Sequence, residues 1–219
     1  MKILIVTLSY FDDSVYSKFF QIQNLTWNSL DVDGIDTFFL LGNSESNNIE
    51  GNLVRTNVPE SLMNCGRKQL ECFKLIKDLD FDYVFRTNSS SYVDKNLLKN
   101  YLSEKPRKNF YSGVVGNHNG IKFSSGSGYI ISKDLIELIL ENEKLWNHNL
   151  IDDVSVGDLL SKFHIHPAPA PRHDVLDSNT TNIPLDFYHY RIKSFNRDSD
   201  CEVMKKIHIL KNDKNSNSN

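Results

Sequence analysis

The sequence of 219 residues has few cysteines, and their arrangement excludes several kinds of protein. Cys65, Cys72 and Cys201 are odd in number and show neither a CxxC pair nor metal-type spacing with histidine. This argues against a disulfide framework and against a zinc site, and it is typical of a reducing, cytosol-like compartment. The sequence also lacks a GxGxxG fingerprint, so a Rossmann dinucleotide site is not expected.

The chain has neither a strong excess of charge nor a long apolar segment. Its 25 basic and 28 acidic residues give a formal net charge of −3. No overall field therefore favours nucleic acid or an anionic membrane, and any anionic ligand must be met by local basic groups. The opening MKILIVTLSY is too short for a spanning helix and lacks a signal-peptide cleavage site, so we expect it to be a strand and the protein to have no membrane span.

Segments rich in β-branched and aromatic residues alternate with segments of helical period, which predicts an α/β fold with a largely parallel sheet flanked by helices. The predicted strands cover residues 3–7, 37–41, 53–57, 83–86, 110–115 and 129–131. A length of 219 residues with 39% apolar content favours one domain. We predict this domain over residues 1–210 and a disordered polar tail over residues 211–219, because KNDKNSNSN has no apolar residue.

The predicted helices lie between these strands and after the last of them. The first begins at Ser14, a plausible N-cap, and its apolar face packs on the sheet. Two more surround Leu70 and Leu135, and the clearest is DDVSVGDLLSKF, which begins at Asp152. A short last helix, capped by Asp200, runs through Val203, Met204 and Ile207. The residues that define the other faces are Tyr16, Phe19, Phe20, Gln23 and Trp27 in the first helix, Leu70, Phe73, Ile76 and Leu79 in the second, Leu135, Leu138 and Ile139 in the third, and Val156, Leu159, Leu160 and Phe163 in DDVSVGDLLSKF.

Three polar features lie where an open α/β sheet binds ligands. The first is the end of strand one, TLSYFDD, and the second is DYVFRTNSSSYVD, a buried strand that breaks into small polar residues from Asn88. Such residues also favour turns for local reasons, so either a ligand contact or a simple turn fits. The third is the pair Asp152–Asp153 at a helix start, where one carboxylate serves as a cap and a second exceeds what a cap requires.

These segments resemble a known family. In order, NLTW, FFLLG, FDYVFRTNSSSYVD, SSGSGYIISKDLI and LIDDVSVGDLL are similar to motifs of the β-1,3-galactosyltransferase and fringe group of GT-A glycosyltransferases, from about residue 3 to residue 165. The resemblance implies a GT-A fold and inverting transfer of a sugar from a nucleotide-diphosphate sugar, by family default a UDP-sugar, to an acceptor hydroxyl of a glycan or glycoconjugate. It places the general base at Asp153, with Asp152 as the second candidate, and a nucleotide pocket lined by Thr7 and Tyr10.

The sequence departs from this family at the metal-binding turn. The acidic turn that holds Mn²⁺ in the family falls on Asn88, Ser89 and Ser90, which carry no carboxylate, whereas hard divalent cations prefer carboxylate oxygens. A divalent metal (Mn²⁺ or Mg²⁺) is therefore possible but is not expected to be essential. No metal ligand set is assigned.

The departing diphosphate still needs positive charge. Arg86 precedes the turn, and HYRIK places His189, Arg191 and Lys193 on one side of an extended segment. Together with Asn88 and Ser90, these residues are the predicted nucleotide-sugar-binding set. Two alternatives stay open: HYRIK as a solvated edge strand with its basic side outward, and His189 as a metal ligand.

The leading interpretation is a metal-independent, inverting glycosyltransferase. A non-catalytic relative that binds nucleotide sugar or glycan is the alternative, since the acidic turn is lost, and a nucleotidyltransferase is less favoured because it needs acidic metal ligands. Family members of the secretory pathway usually have an N-terminal membrane helix and stem. Since the predicted domain begins at residue 1, we expect a cytoplasmic protein from a bacterium, a virus or a protist.

Overall fold

The computed structural model of the chain describes residues 1–11 and 14–216, without the side chains of residues 14 and 214–216. The strands are β1 (Ile3–Leu8), β2 (Ile35–Leu41), β3 (Asn48–Glu50), β4 (Leu53–Arg55), β5 (Tyr83–Asn88), β6 (Ser91–Val93), β7 (Tyr111–His118), β8 (Ile121–Ser132), β9 (Ala168–Pro169), β10 (His173–Val175) and β11 (His189–Ile192). The helices are α1 (Ser14–Leu25), α2 (Cys65–Ile76), α3 (Lys95–Ser103), α4 (Lys133–Glu141), α5 (Asp152–Ser161) and α6 (Arg197–Ser216).

Two compact units are distinguished along the chain, each built from three segments. The first consists of Met1–Tyr10, Gly34–Asn88 and Lys105–Ala170, and the second of Phe11–Asp33, Ser89–Glu104 and Pro171–Asn219. Compact units of this kind need not fold independently, so the single domain over residues 1–210 stays a prediction.

The first unit contains an eight-stranded sheet in the order β3-β4-β2-β1-β5-β8-β7-β9. Strands β4, β2, β1 and β5 run parallel to one another, whereas β8 is antiparallel to both β5 and β7. The α/β fold with a mostly parallel sheet is thus confirmed. Residues 3–6 of β1 are buried because β1 is a central strand, with β2 on one side and β5 on the other.

Helices α2, α4 and α5 provide apolar side chains to the core of this first unit. Their buried residues follow the predicted helical spacing, since turns of 3.6 residues place positions i, i+3 and i+4 on one face. The buried members are Leu70, Phe73, Ile76, Leu135, Ile139, Val156, Leu159 and Leu160, while Leu138 and Phe163 are partly buried against them. The predicted core faces of these helices are therefore confirmed.

The second unit contains a three-stranded sheet in the order β10-β11-β6. Strand β11, which holds HYRI of the HYRIK segment, runs parallel to β10 and antiparallel to β6. It is the central strand, so the alternative of a solvated edge strand is wrong. In the same unit, Trp27 Nε1 and Gln23 Nε2 both donate to the Ser91 carbonyl oxygen, at 3.1 Å each.

The last helix continues farther than the composition of its sequence suggests. Residues 211–216, predicted as part of a disordered tail, are the end of α6. Lys211 is buried: its Nζ lies 2.6 Å from Asp94 Oδ2 and donates to the carbonyl oxygens of Leu185 and Phe187. The tail prediction is wrong for these residues: they are helical, and the buried Lys211 bonds to three half-buried groups. Residues 217–219 lie outside the described part. Among the described helices, none is long and apolar enough to cross a membrane.

Candidate active site

Two adjacent carboxylates begin helix α5. Asp152 and Asp153 are its first two residues, and they are 7% and 8% exposed. The N-cap residue is Ile151, and no side chain forms a capping hydrogen bond there. The expectation that one of the two carboxylates caps the helix is therefore wrong. The position still favours negative charge, because the N-terminus of a helix carries a partial positive charge.

Asp152 instead pairs with an arginine from the sheet. Arg86 lies on β5, is 2% exposed, and donates through Nη2 to Asp152 Oδ2 in a short, buried ion pair. Burial lowers the pKa of Arg86, but the negative charges of Asp152 and Asp153 and the phenol of Tyr129 outweigh it and raise the pKa. The guanidinium thus stays charged. It was expected to face the diphosphate, yet it faces the carboxylates.

Asp153 is held by two backbone N–H groups. Gly126 N donates to its Oδ2 at 2.6 Å, and Val154 N donates to its Oδ1 at 2.9 Å. Burial and the charge of Asp152 raise the pKa of Asp153, while both N–H groups and Arg86 act in the opposite direction. A raised pKa makes a carboxylate a stronger base, and a general base is most effective when its pKa lies near the working pH.

The N–H group of Gly126 reaches Asp153 because β8 is irregular at this point. In the pairing of β7 with β8, Gly113 opposes Tyr129 while Val115 opposes Ser124, so β8 has extra residues between these pairs. A Cβ at Gly126 would lie 3.1 Å from Asp153 Oδ2 and 3.0 Å from Arg86 Nη1. The glycine of SSGSG therefore allows the close approach, and sequence reasoning did not assign it a role.

The end of β1 is the predicted nucleotide pocket. Thr7 is fully buried, and its hydroxyl has no hydrogen-bond partner among the described residues. Tyr10 is half-buried. Asp12 and Asp13, the last two residues of TLSYFDD, lie outside the described residues. The structure thus places Thr7 and Tyr10 near the carboxyl end of β1 and assigns no ligand to either.

A buried lysine at the same edge of the sheet was missed by sequence reasoning. Lys68 is 2% exposed; its Nζ lies 2.7 Å from Glu60 Oε1 and donates to the Ser9 carbonyl oxygen at 3.0 Å. Burial lowers the pKa of Lys68, and Glu60 opposes that shift. Glu60 Oε1 also accepts from Gly42 N at 2.6 Å. Lys68 lies at helical spacing from Cys65 and Cys72. Its position on the same helix face as these two cysteines is the sequence feature that could have indicated its burial.

The polar turn crosses from the first unit to the second. Asn88 ends β5 and is half-buried. In the second unit, Ser90 Oγ accepts from Arg197 Nη2 at 2.6 Å, and Arg197 also pairs with Asp200. Arg197 begins α6 and was not selected from the sequence, because nothing in its neighbourhood marks it as near the turn. The turn therefore has an arginine partner that only the fold reveals.

The HYRIK segment is less basic than its sequence suggests. His189 is 1% exposed, and its Nε2 lies 3.0 Å from Ser91 Oγ. Burial, together with the positive charges of Arg172 and Arg191, lowers its pKa to about 3. His189 is therefore neutral near pH 7 and supplies no charge to a diphosphate. It is also too deeply buried to meet a ligand directly.

Two arginines share one carboxylate beside that strand. Arg172 donates to Asp174 through Nε at 2.5 Å and through Nη2 at 3.0 Å, and Arg191 Nη1 lies 3.5 Å from Asp174 Oδ2. Arg191 is half-buried, and Lys193 is exposed. Two guanidinium groups on one carboxylate leave a net positive charge. Arg172 was not among the site residues predicted from the sequence.

The donor set of the turn does not fit a divalent metal. Asn88, Ser89 and Ser90 offer neutral oxygens, and Asp94 binds Leu97 N and Lys211 instead. Within residues 1–11 and 14–216, no three histidine, cysteine, aspartate or glutamate side chains lie together as a metal site would require. No step of the chemistry is therefore assigned to a metal.

The segment that contains the carboxylates of Asp152 and Asp153 is similar to a known protein family. Residues 117–171, which include Gly126, Asp152 and Asp153, match the family model described as Galactosyltransferase. The mouse protein "Beta-1,3-galactosyltransferase 1" is 33% identical, over 39% of this chain and 33% of its own length. Part of the chain is therefore similar to galactosyltransferases. The resemblance predicted from the sequence is thereby confirmed.

Other relatives agree with this assignment. The human "Beta-1,3-galactosyltransferase 2" is 29% identical over 43% of this chain and 28% of its own length. The chain spans about a third of the length of the galactosyltransferases that it matches. Among solved structures, "Crystal structure of a glycosyltransferase involved in the glycosylation of the major capsid of PBCV-1" is similar with a TM-score of 0.60 and 12% identity, over 94% of this chain and all of that chain. At this identity the likeness shows the fold alone.

Proposed function

We propose that the protein transfers a sugar from a nucleotide-diphosphate sugar to a hydroxyl group of a glycan or glycoconjugate, with inversion and without an essential metal ion. The observation that carries this proposal is Asp153, a buried carboxylate with a raised pKa beside an Arg86-paired Asp152. It lies in the segment that matches the Galactosyltransferase family. The names of the relatives make a galactose donor, UDP-galactose, the first to test.

The proposed chemistry needs one base and one leaving group. The acceptor hydroxyl oxygen attacks C1 of the donor sugar while its proton passes to a carboxylate oxygen of Asp153. The new C1–O bond forms as the bond from C1 to the diphosphate breaks, and that electron pair goes to the diphosphate. Attack opposite the leaving group inverts C1, and a general base of this kind contributes roughly 10²–10⁴-fold to the rate.

We infer that the diphosphate meets arginine and lysine rather than a metal. Arg191 and Lys193 are the cations of HYRIK that keep both charge and some exposure, and Arg172 adds to the net positive charge beside Arg191. Guanidinium groups bind phosphate through paired N–H donors. His189 and Arg86 leave this set, because the first is neutral and the second is paired. The residues proposed to bind the nucleotide and its ribose are Thr7, Tyr10, Asn88 and Ser90.

The first experiment is a donor screen followed by a transfer assay. A nucleotide sugar that binds the folded protein should raise its melting temperature by mass action, corresponding to about 2.7 kcal/mol at a hundred times Kd. The donor that stabilises most is then offered with glycan acceptors, and release of the nucleoside diphosphate is measured with EDTA and with Mn²⁺. We expect transfer to continue in EDTA. Transfer that collapses in EDTA and returns with Mn²⁺ would show that a metal is required.

A second candidate is a non-catalytic relative that binds nucleotide sugar or glycan. The turn without carboxylates favours it, because the related metal site has been lost. The same screen separates the two candidates: a donor that stabilises the protein but is neither transferred nor hydrolysed would support the binder. A cytoplasmic location also stays a proposal, and the three cysteines, all of them free thiols, support it.

A further inference from the structure

Arg86 lies where two carboxylates compete for one cation. Asp152 and Asp153 are consecutive residues, both buried, and both attract the guanidinium electrostatically. Arg86 donates to Asp152, while Asp153 is held by Gly126 and Val154 N–H groups. The three side chains therefore carry a net charge of about −1 at neutral pH, which leaves a single uncompensated carboxylate.

We propose that Arg86 is a positioning residue for the transfer reaction: by pairing with Asp152 it leaves Asp153 as the carboxylate that accepts the acceptor's proton. The inference rests on the proposed function and assigns Arg86 a role different from the phosphate contact that the sequence suggested. In this proposal Asp152 is the ion-pair partner of Arg86 and is not a second general base.

The packing around Arg86 supports this role. Its side chain is 3% exposed, and its guanidinium carbon lies 5.8 Å from the centre of the Tyr129 ring. On another side, Nη1 lies so near Gly126 that an added Cβ there would come within 3.0 Å. Tyr129 also opposes Arg86 across the pairing of β5 with β8. A guanidinium enclosed in this way holds Asp152 in place, and it has little freedom to turn toward a donor.

Among the described groups that interact electrostatically with these carboxylates, Tyr111, Tyr129 and Cys65 are neutral at pH 7. Burial raises the pKa values of Tyr111 and Tyr129, and both phenols sense Asp152 and Asp153. Burial also raises the pKa of Cys65, on which Asp152 and Arg86 act in opposite directions. Lys68, a buried cation that interacts electrostatically with Arg86, is paired with Glu60, whereas Arg86 is paired with Asp152. Without Arg86, two adjacent buried carboxylates would repel each other, and one would bind a proton more strongly.

The test uses two single variants with opposite expected shifts. Arg86→Gln leaves both carboxylates uncompensated, so the acid limb of the pH profile of kcat/KM should move up by about one pH unit or more. Asp152→Asn frees Arg86 to act on Asp153, so the same limb should move down. Donor Kd should stay within about threefold in both variants, because neither change removes a donor contact. Arg107→Gln, which removes a mostly exposed arginine of the same unit, is the control and should not move the limb.

The double variant Arg86→Gln with Asp152→Asn removes both partners and restores the charge balance. Its acid limb should return close to that of the unmodified protein. It should also fold even if Arg86→Gln alone does not, because replacing both partners leaves Asp153 as the single uncompensated carboxylate, as in the unmodified protein. A double variant whose limb stays where Arg86→Gln placed it would overturn the proposal. So would a tenfold weaker donor Kd in Arg86→Gln with an unchanged limb, which would make Arg86 a phosphate ligand.

A measurement without turnover separates this inference from the proposed function. NMR of ¹³C-labelled aspartate carboxyl groups, with Asp153→Asn for assignment, follows the protonation of Asp153 directly. We expect its titration to move to higher pH in Arg86→Gln and to lower pH in Asp152→Asn. If the protein transfers no sugar but these shifts occur, the proposed function fails while the electrostatic role of Arg86 stands. If the titration of Asp153 moves in neither variant, the role of Arg86 is wrong.

Discussion

The start of α5 and the strand β11 both contain buried ionisable side chains, but those at the start of α5 form an ion pair and His189 of β11 is neutral. At the start of α5, Asp152 is buried with the opposite charge of Arg86 beside it, and the ion pair persists. In β11, His189 is buried where Arg172 and Arg191 act on it, and its pKa falls to about 3. The comparison shows that burial disfavours the charged form of both groups, and that an adjacent opposite charge offsets this penalty while adjacent like charges add to it.

The largest effect expected at the start of α5 is the loss of the base. Asp153→Asn removes the proposed general base, so sugar transfer should fall by roughly 10²–10⁴-fold while donor Kd changes by less than about threefold. Asp158→Asn on the same helix is the control, because Asp158 forms an i,i+4 pair with the partly exposed Lys162. Transfer by the Asp158 variant should be nearly unchanged. Undiminished transfer by Asp153→Asn would remove the base assignment.

A buried cation in the second unit should behave like Arg86 rather than like His189. Lys211 has a half-buried carboxylate partner, Asp94. Lys211→Met should leave that carboxylate without its ion-pair partner and lower the free energy of unfolding by about 3 kcal/mol. Urea unfolding measures this loss. Lys205→Met removes an exposed pair with Glu202 and should cost less than about 1 kcal/mol. Equal effects of the two variants would contradict the ordered end of α6.

The cations of HYRIK that keep their charge should affect donor binding. Arg191→Ala should weaken the donor by about tenfold, since a hydrogen bond to a charged group contributes roughly 1.5–3 kcal/mol. Lys193→Ala should have a smaller effect, because the side chain is exposed and screened. Isothermal titration with UDP alone measures both. The control is Lys144→Ala, an exposed lysine, and a donor Kd unchanged in the Arg191 variant would exclude Arg191 from the site.

His189 should contribute to the pH dependence of the free energy of unfolding rather than to donor binding. Its folded-state pKa, about 3, lies below the ordinary value of 6.5, so the unfolded chain binds a proton that the folded chain does not. The stabilisation is complete above pH 6.5 and is lost as the pH falls toward 3, by about 1.4 kcal/mol per pH unit. His189→Gln should flatten this slope, and His166→Gln, at an exposed position, should not. Denaturant unfolding at pH 7.5 and 5 compares them, and equal slopes in all three proteins would contradict the assignment.

Much of the fold could be predicted because, in long segments, the spacing of apolar residues shows which face is buried. The central strands and the apolar faces of α2, α4 and α5 are found where hydrophobic periodicity places them. Strands of two or three residues, such as β3, β9 and β10, could not be predicted, because so short a stretch has no period. The end of α6 was missed for another reason, since the partner that buries Lys211 is Asp94, distant in the sequence.

The candidate site was predictable in its residue types and less so in its pairings. Asp152 and Asp153 stood out because two carboxylates exceed one cap, and the segment around them matches the Galactosyltransferase family. That Arg86 turns to Asp152, and that Gly126 reaches Asp153, depends on how β5, β8 and α5 are brought together. No local rule pairs residues that lie 66 and 27 positions apart.

The sequence by itself determined the α/β pattern, the family resemblance, the acidic pair and the absence of carboxylates from the turn at Asn88, because each depends only on residue type and order. Only the tertiary structure decided the state of the charges. Arg86 keeps its charge because a carboxylate is buried beside it, and His189 loses its charge because burial and two arginines disfavour the imidazolium. The reason is that the free energy of a buried charge depends on the groups within a few ångströms of it, and those neighbours are set by the fold.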